Sequence, residues 1–275
     1  MKKIIWAFWD TSVLPNLVQK CIHSWRVHLP DWEIIIFSTK TLESYISLDE
    51  LPSSFSELSS PFKSDLLRLL LLKKYSGVWL DSSLFMLDNF DWLFDHIERK
   101  QITHFTGFKL RRKKYFESWF IAVPTVQDPM ISKWYTMLKD VAALHPRYTD
   151  HECYARKNYT SSPSYFMVYQ VYAYLVDTDS SFQKAHKEGA FLRAEENMAP
   201  WLIGVPRINS LVEKYSNSKL SSKTVSSKPN KINRKVYKIV HANRIFYTYQ
   251  TSLVVGIVLA VACLILVILS KKTGA

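Results

Sequence analysis

Residues 60–83 read SPFKSDLLRLLLLKKYSGVWLDSS, and the fold turns on how this stretch is taken. Ser60 can cap a helix with Pro61 in its first turn, where the absent N–H is not needed by the helix ladder. Lys73 and Lys74 suit the negative end of the helix dipole, and Gly77 can stop the helix. Residues 78–80 then form a short apolar strand that ends at Asp81. The expected unit is a helix running straight into a strand that carries a carboxylate to the rim of a sheet. Asp65 and Arg68, three residues apart, share a face of that helix.

Working toward the N-terminus, Ile4–Phe8 reads as a buried strand and residues 32–37 (WEIIIF) as a second. Between them Leu17, Val18, Cys21, Ile22 and Trp25 recur at helical spacing. A strand, helix, strand opening predicts an α/β domain with a mostly parallel sheet, whose ligands sit beyond the carboxyl ends of the strands. Toward the C-terminus, residues 103–108 and 119–123 read as strands, joined by the cationic run 109–114 (KLRRKK) as a turn or edge. Residues 129–144 and 164–176 read as helices. A polar stretch at 216–231, rich in Ser, Lys and Asn, has loop or linker character, and the domain is expected to span 1–243.

Composition narrows the class. With 15 Tyr, 15 Phe, 9 Trp and only 6 Gly, the chain reads as globular and contains no repeat. The net charge of +12 is local: residues 1–200 hold 24 Lys and Arg against 23 Asp and Glu, whereas residues 201–275 hold 12 against the single acid Glu213. A domain that binds nucleic acid would carry its positive surface on itself, so no nucleic-acid partner is expected. Cys21, Cys153 and Cys263 are scattered, which predicts neither a disulfide framework nor a cysteine zinc site.

The basic excess precedes residues 253–269, LVVGIVLAVACLILVIL, all apolar or glycine. At 1.5 Å per residue they make about 25 Å of helix, enough to span a bilayer core when Ser252 and Ser270 extend it. Tyr247 and Tyr249 before it, and Lys271 and Lys272 after it, suit the two interfaces. Arg234, Lys235, Lys238 and Arg244 make the preceding side the more cationic, so the domain is expected to face the cytosol as a single-pass protein anchored at its C-terminus. This leaves 244–252 as a juxtamembrane segment that meets anionic headgroups and 270–275 as a short tail. The N-terminal MKKIIWAFWD lacks a cleavage site and is a poor signal peptide.

Asp81 at a strand end can hold a hard divalent cation, and that cation can bridge a diphosphate. No phosphate-binding Gly-x-x-x-x-Gly-Lys loop, Gly-x-Ser-x-Gly elbow or His-x-x-x-His pair offers a competing chemistry. The whole string SDLLRLLLLKKYSGVWLDSS resembles the DXD region of the glycosyltransferases that include capsular polysaccharide synthesis proteins and the mannosyltransferase-like family 32. The matching positions are Ser64, Asp65, Arg68, Tyr75, Gly77, Val78, Trp79, Leu80 and Asp81. The opening KIIWAFWD with Pro15, residues 21–25 (CIHSW), residues 30–33 (PDWE), residues 117–122 (ESWFIA), Tyr165-Phe166 and residues 236–241 (VYKIVH) extend the likeness from Lys3 to about His241.

The resemblance implies a GT-A fold, Rossmann-like in its handling of a nucleotide-diphospho-sugar. It also implies a nucleotide-sugar donor, a UDP-sugar first, with Mn²⁺ or Mg²⁺, a glycan or lipid-linked acceptor, and transfer with retention at the anomeric carbon. Trp9 would stack on the base, Asp65 and Arg68 would hydrogen-bond the sugar portion, and Asp81 would ligate the metal with Ser83 beside it. Lys238 and His241 would close over the diphosphate. Two positions depart from the pattern: Ser83 replaces a second acid and Ser76 the first of two glycines. They motivate an alternative reading, a catalytically silent, tail-anchored scaffold or sugar-binding protein. Individual residues also have plain structural readings: Trp9 as a core aromatic, Asp65 and Arg68 as a helix-surface ion pair, and Trp119 and Tyr165 as core rather than acceptor groove.

Overall fold

The computed structural model describes residues 1–11, 13–86, 89–109, 116–155, 165–189, 191–193 and 236–238. The chain divides into two units, 1–200 with 223–237 and 201–222 with 238–275, and the fold below is that of the first. The linker at 216–231, the boundary at 243, Cys263, His241 and the apolar run at 253–269 lie outside the described residues. Among the described residues no helix is long and apolar enough to cross a membrane.

The unit is a mixed α/β fold. Its strands are β1 (Ile4–Phe8), β2 (Glu33–Phe37), β3 (Gly77–Leu80), β4 (Leu84–Met86), β5 (Thr106–Lys109), β6 (Phe116–Val123) and β7 (Leu192–Arg193). The helices are α1 (Asn16–His28), α2 (Ser60–Tyr75), α3 (Asp91–Arg99), α4 (Pro129–Ala143), α5 (Glu152–Ala155), α6 (Met167–Thr178) and α7 (Ser180–Glu188). A last strand, β8 (Val236–Lys238), forms a two-stranded sheet with β4.

The main sheet has the order β2-β1-β3-β6-β5-β7. Strand β1 is parallel to both β2 and β3, while β6 runs antiparallel to β3 and to β5, and β7 is parallel to β5. The sheet is therefore mixed, more so than the β-α-β opening predicts. Strands β5 and β6 are joined directly in sequence, and neighbours connected without a crossover helix must run in opposite directions.

Alternation along β1 divides the core. Ile5 and Ala7 point to one side with Val18, Ile22 and Trp25 of α1, whereas Trp6 and Phe8 point to the other with the leucines of α2. Helix α2 is buried nearly all round: Leu66, Leu67, Leu69, Leu70, Leu71 and Leu72 are each at most 1% exposed. At roughly 1.5–3 kcal/mol per buried leucine side chain, this helix is a main source of stability and has little freedom to shift Asp65 and Arg68. Cys21 and Cys153 are buried, and burial pushes both thiols up to about 12, which keeps them inert.

The junction of α2 and β3 explains how the strand is aimed. Ser76 ends the helix at φ 62, its N–H donating to the Leu72 carbonyl at 3.0 Å. Gly77 follows at φ 97, and a Cβ there would stand 2.7 Å from the Ile4 carbonyl oxygen. Only glycine permits that approach, which brings β3 alongside β1.

Candidate active site

Strands β1 and β3 are parallel neighbours, so their carboxyl ends open on the same edge of the sheet. Strand β2 lies on one side of β1 and β3 on the other, which makes this edge the point where the strand order reverses. Such reversals leave a crevice beyond the strand ends. Trp9 and Asp10 stand at the end of β1 and Asp81 at the end of β3. Ser82 Oγ donates to the Phe8 carbonyl at 3.2 Å and holds the two ends together. Because β6 runs the other way, its first residues, Glu117 and Ser118, reach the same edge, and the Asp81 N–H donates to the Trp119 carbonyl at 2.9 Å.

Arg68 organises the centre. Its Nη2 lies 2.9 Å from Asp65 Oδ1 and 3.5 Å from Asp81 Oδ1. Its Nη1 donates to the Ser118 carbonyl at 2.6 Å, its Nε to the Ser64 carbonyl at 3.3 Å, and its Nη2 to Ser64 Oγ at 3.2 Å. The guanidinium also lies over the Trp79 ring, 5.2 Å from its centroid, and the Trp79 indole N–H donates to Asp81 Oδ1 at 3.1 Å. Arg68 and Asp65 are 4% and 7% exposed, so the reading of a helix-surface ion pair is corrected: the pair is inside. The buried leucines on either side, Leu66, Leu67 and Leu69–Leu72, draw it in, and a charge so buried persists only when paired and hydrogen-bonded.

The arrangement has a chemical consequence. Asp65, Arg68 and Asp81 together carry a net −1, and Asp81, its side chain 21% exposed, is the group nearest to solvent. The cluster can accept from sugar hydroxyls and can hold a cation. A bare diphosphate would be repelled by it unless a cation intervened. Magnesium-like ions are commonly held by one or two carboxylates together with substrate phosphates, so a single exposed carboxylate fits that mode. No group of three or more His, Cys, Asp or Glu suited to a metal occurs among the described residues.

The other residues singled out from the sequence are distributed around this centre. Trp9 is half-buried, its ring against the α1-side core and its indole N–H on Thr11 Oγ1 at 3.0 Å. Ser83, 5% exposed, sits in the turn after Asp81. Lys238 belongs to β8, and His241 is outside the described residues. Trp119 is core, stacked on Phe108 with centroids 5.0 Å apart, while Tyr165 is exposed.

Sequence reasoning missed three contributors. Trp79 entered only as an aromatic position in a strand, yet it fixes both Asp81 and Arg68. Ser118 contributes a backbone carbonyl, which has no side-chain signature. Tyr169 is buried, and its hydroxyl meets Ser118 N and Oγ at 3.2 and 2.9 Å. Burial and the neighbouring Glu117 carboxylate push the Tyr169 phenol well above its ordinary value, so it remains protonated. One signal was legible: Ser64 stands one turn before Arg68, where a serine can brace a guanidinium.

The family model for capsular polysaccharide synthesis protein matches residues 1–249. Among curated proteins, the chain is similar to O-glycosyltransferase braB of Annulohypoxylon truncatum, with 28% identity over 156 residues. That match covers 50% of this chain and 37% of the relative, so it spans little more than a third of the relative's length. Among solved structures it is similar to the PaToxG glycosyltransferase, with a TM-score of 0.40 and 16% identity, covering 68% of this chain and 74% of that one.

Proposed function

The chain belongs to the capsular polysaccharide synthesis protein family, whose model spans most of it, and from that premise we propose that it is a metal-dependent glycosyltransferase of GT-A type. It moves a sugar from a nucleotide-sugar donor, a UDP-sugar first, to a glycan or lipid-linked acceptor. The observation that carries this reading is Arg68 held between Asp65 and Asp81 where the strand order reverses.

In this reading the Trp9 indole, at the end of β1, takes the base by stacking. Asp65 and Arg68 hydrogen-bond the sugar portion of the donor, Asp65 as acceptor and Arg68 as donor, from a helix that cannot move. Asp81 would hold Mn²⁺ or Mg²⁺, with Ser83 beside it. The metal, when bound, stabilises the charge that develops on the leaving diphosphate. Trp79 keeps the Asp81 carboxylate aimed outward and Arg68 against it. The acceptor hydroxyl attacks from the leaving-group face, so the anomeric configuration is retained and no protein nucleophile is needed.

The test uses the full chain, purified in detergent, with Mn²⁺ and a panel of UDP- and GDP-sugars. Nucleoside diphosphate should be released, and the release should be lost on Asp81→Ala. Nucleotide binding without turnover across the panel would sink the enzymatic reading and leave the silent scaffold.

The same reading makes residues 253–269 a membrane anchor with the domain on the cytosolic side, and it places the acceptor near the bilayer. Alkaline carbonate should leave the full chain in the membrane pellet and release a chain ending at residue 252. Release of both would remove the anchor from the proposal.

A further inference from the structure

Asp10 follows Trp9 just beyond the end of β1, and the proposed chemistry gives it no task. Alternation along β1 sends Trp6 and Phe8 to the α2 side of the sheet, and Asp10 keeps to that side. Its Oδ2 accepts from Ser60 Oγ at 2.5 Å, at the first residue of α2. Ser60, Ser64 and Arg68 recur every four residues and so share one face of that helix. Arg68 folds back along this face, its Nε on the Ser64 carbonyl and its Nη2 on Ser64 Oγ, and from there it meets Asp81. The face therefore carries Asp10 beside Ser60 at its start, and one turn further in the Arg68 guanidinium with Asp65 and Asp81. Asp10 is half-buried and Ser60 exposed, which places this pair on the rim rather than in the core.

We propose that the Asp10 carboxylate accepts the 2′- and 3′-hydroxyls of the donor's ribose and so selects a ribonucleoside over a 2′-deoxyribonucleoside diphosphate. The inference deepens the donor reading and rests on it. In a nucleotide sugar the ribose separates the base from the diphosphate, and Asp10 adjoins Trp9 on one side and the Arg68–Asp81 centre on the other. Base and ribose are joined by a single bond, and consecutive Cα atoms are about 3.8 Å apart. A group next to the base stack thus reaches the ribose, whereas the transferred sugar lies two phosphates away. Charge makes the same choice, since a carboxylate repels phosphate oxygens and accepts from hydroxyls. An ionised carboxylate offers about four lone-pair sites, of which Ser60 takes one, and a cis-diol presents two donors to its two oxygens. An acid paired with ribose hydroxyls serves dinucleotide-binding folds in the same way. The Ser60 hydroxyl holds the carboxylate in place, so little rotamer freedom is lost on binding.

The test is a binding measurement that needs no turnover. Isothermal titration calorimetry on the full chain in detergent, with Mn²⁺, would use UDP, GDP and their 2′-deoxy counterparts. The ribonucleotide that binds should do so roughly tenfold more tightly than its deoxy form, the scale of one hydrogen bond to a charged group. Asp10→Ala should bring that ratio close to one, chiefly by weakening the ribonucleotide. Asp10→Asn, which keeps the shape of the side chain, should lower the ratio as well, because a neutral oxygen accepts less strongly than a charged one. Trp9→Ala should weaken both forms alike and keep the ratio. An unchanged ratio in Asp10→Ala, in a protein that melts as the parent does, overturns the assignment. So does an equal loss of both forms with weaker Mn²⁺ binding, which would make Asp10 a metal ligand. Equal binding of the two forms by the parent overturns the ribose contact and leaves the donor reading standing, whereas no binding of any nucleotide sinks both.

Discussion

Arg68 reaches from the middle of a helix to the end of a strand, and its Nη2 stands 3.5 Å from Asp81 Oδ1. The contact joins a residue fixed by leucine packing to one that faces the crevice. Geometry at the rim is thereby set by the core: α2 cannot rotate without unburying apolar surface, so the helix keeps Arg68 within reach of Asp81.

Asp81→Asn separates charge from shape. The amide oxygen can still accept from Trp79, and Arg68 keeps Asp65, so the melting temperature should barely change. Loss of the anionic ligand should reduce nucleoside diphosphate release by about two orders of magnitude, the scale for removing one group that stabilises developing charge. Steady-state turnover alongside thermal unfolding checks both halves. A variant with normal turnover would show that Asp81 does not serve the reaction.

Arg68→Met behaves in the opposite way, as a stability variant first. It takes from Asp65 its guanidinium inside the core, at a cost of about 3–5 kcal/mol, because a buried charge that loses its partner is strongly destabilising. Adding Asp65→Leu to Arg68→Met should recover a large part of the loss in urea unfolding, since apolar replacement of a whole buried pair is often near neutral. The double variant should remain inactive.

These relationships were unequally legible from the chain alone. The helix at Ser60–Tyr75, the strand after it and the opening β-α-β were readable because Pro61, charged ends and apolar runs mark them, although Ser59 rather than Ser60 holds the N-cap position and no side chain caps the helix there. The short strand β4 and the helices α3 and α7 were not singled out, being only three to nine residues long. The direction of β6 was not expressed either, because alternation encodes which residues face the core and says nothing of which way a strand runs. For the site, Asp65, Arg68 and Asp81 were legible as charged residues with fixed spacing. The Ser118 carbonyl and the Trp79 indole were not: one is backbone, and the other sits in a run that reads simply as buried. The plain alternative for the charged pair, a place on the helix surface, could not be dismissed from the chain, since spacing alone does not tell that the leucines around it are buried on every side.

The α2–β3 junction yields a stabilising substitution. Ser76 adopts φ 62 with ψ −164, a region that disfavours residues with a Cβ by roughly 1–3 kcal/mol. Ser76→Gly should therefore raise stability by about 1 kcal/mol after the extra unfolded-chain entropy of glycine is subtracted. Gly77→Ala should do the reverse and cost about 3 kcal/mol, because its Cβ would meet the Ile4 backbone oxygen at a φ of 97. Chemical denaturation of the two variants side by side checks the sign of each.

His186 predicts how stability varies with pH. Its Nδ1 meets the Tyr172 hydroxyl at 2.7 Å and its Nε2 lies 3.3 Å from Lys109 Nζ. Burial, and then the Lys109 charge, push the imidazole down to about 4. In the unfolded chain it titrates near 6.5, so between these values the unfolded state binds the extra proton and the folded state does not. The contribution of His186 is therefore intact above about pH 6.5 and is lost as the pH falls toward 4. His186→Gln keeps a polar side chain but cannot take up a proton, and its urea midpoint should change less than that of the parent between about pH 7 and pH 4.5. Equal slopes for parent and variant across that window would show that the imidazole is not held neutral by its surroundings.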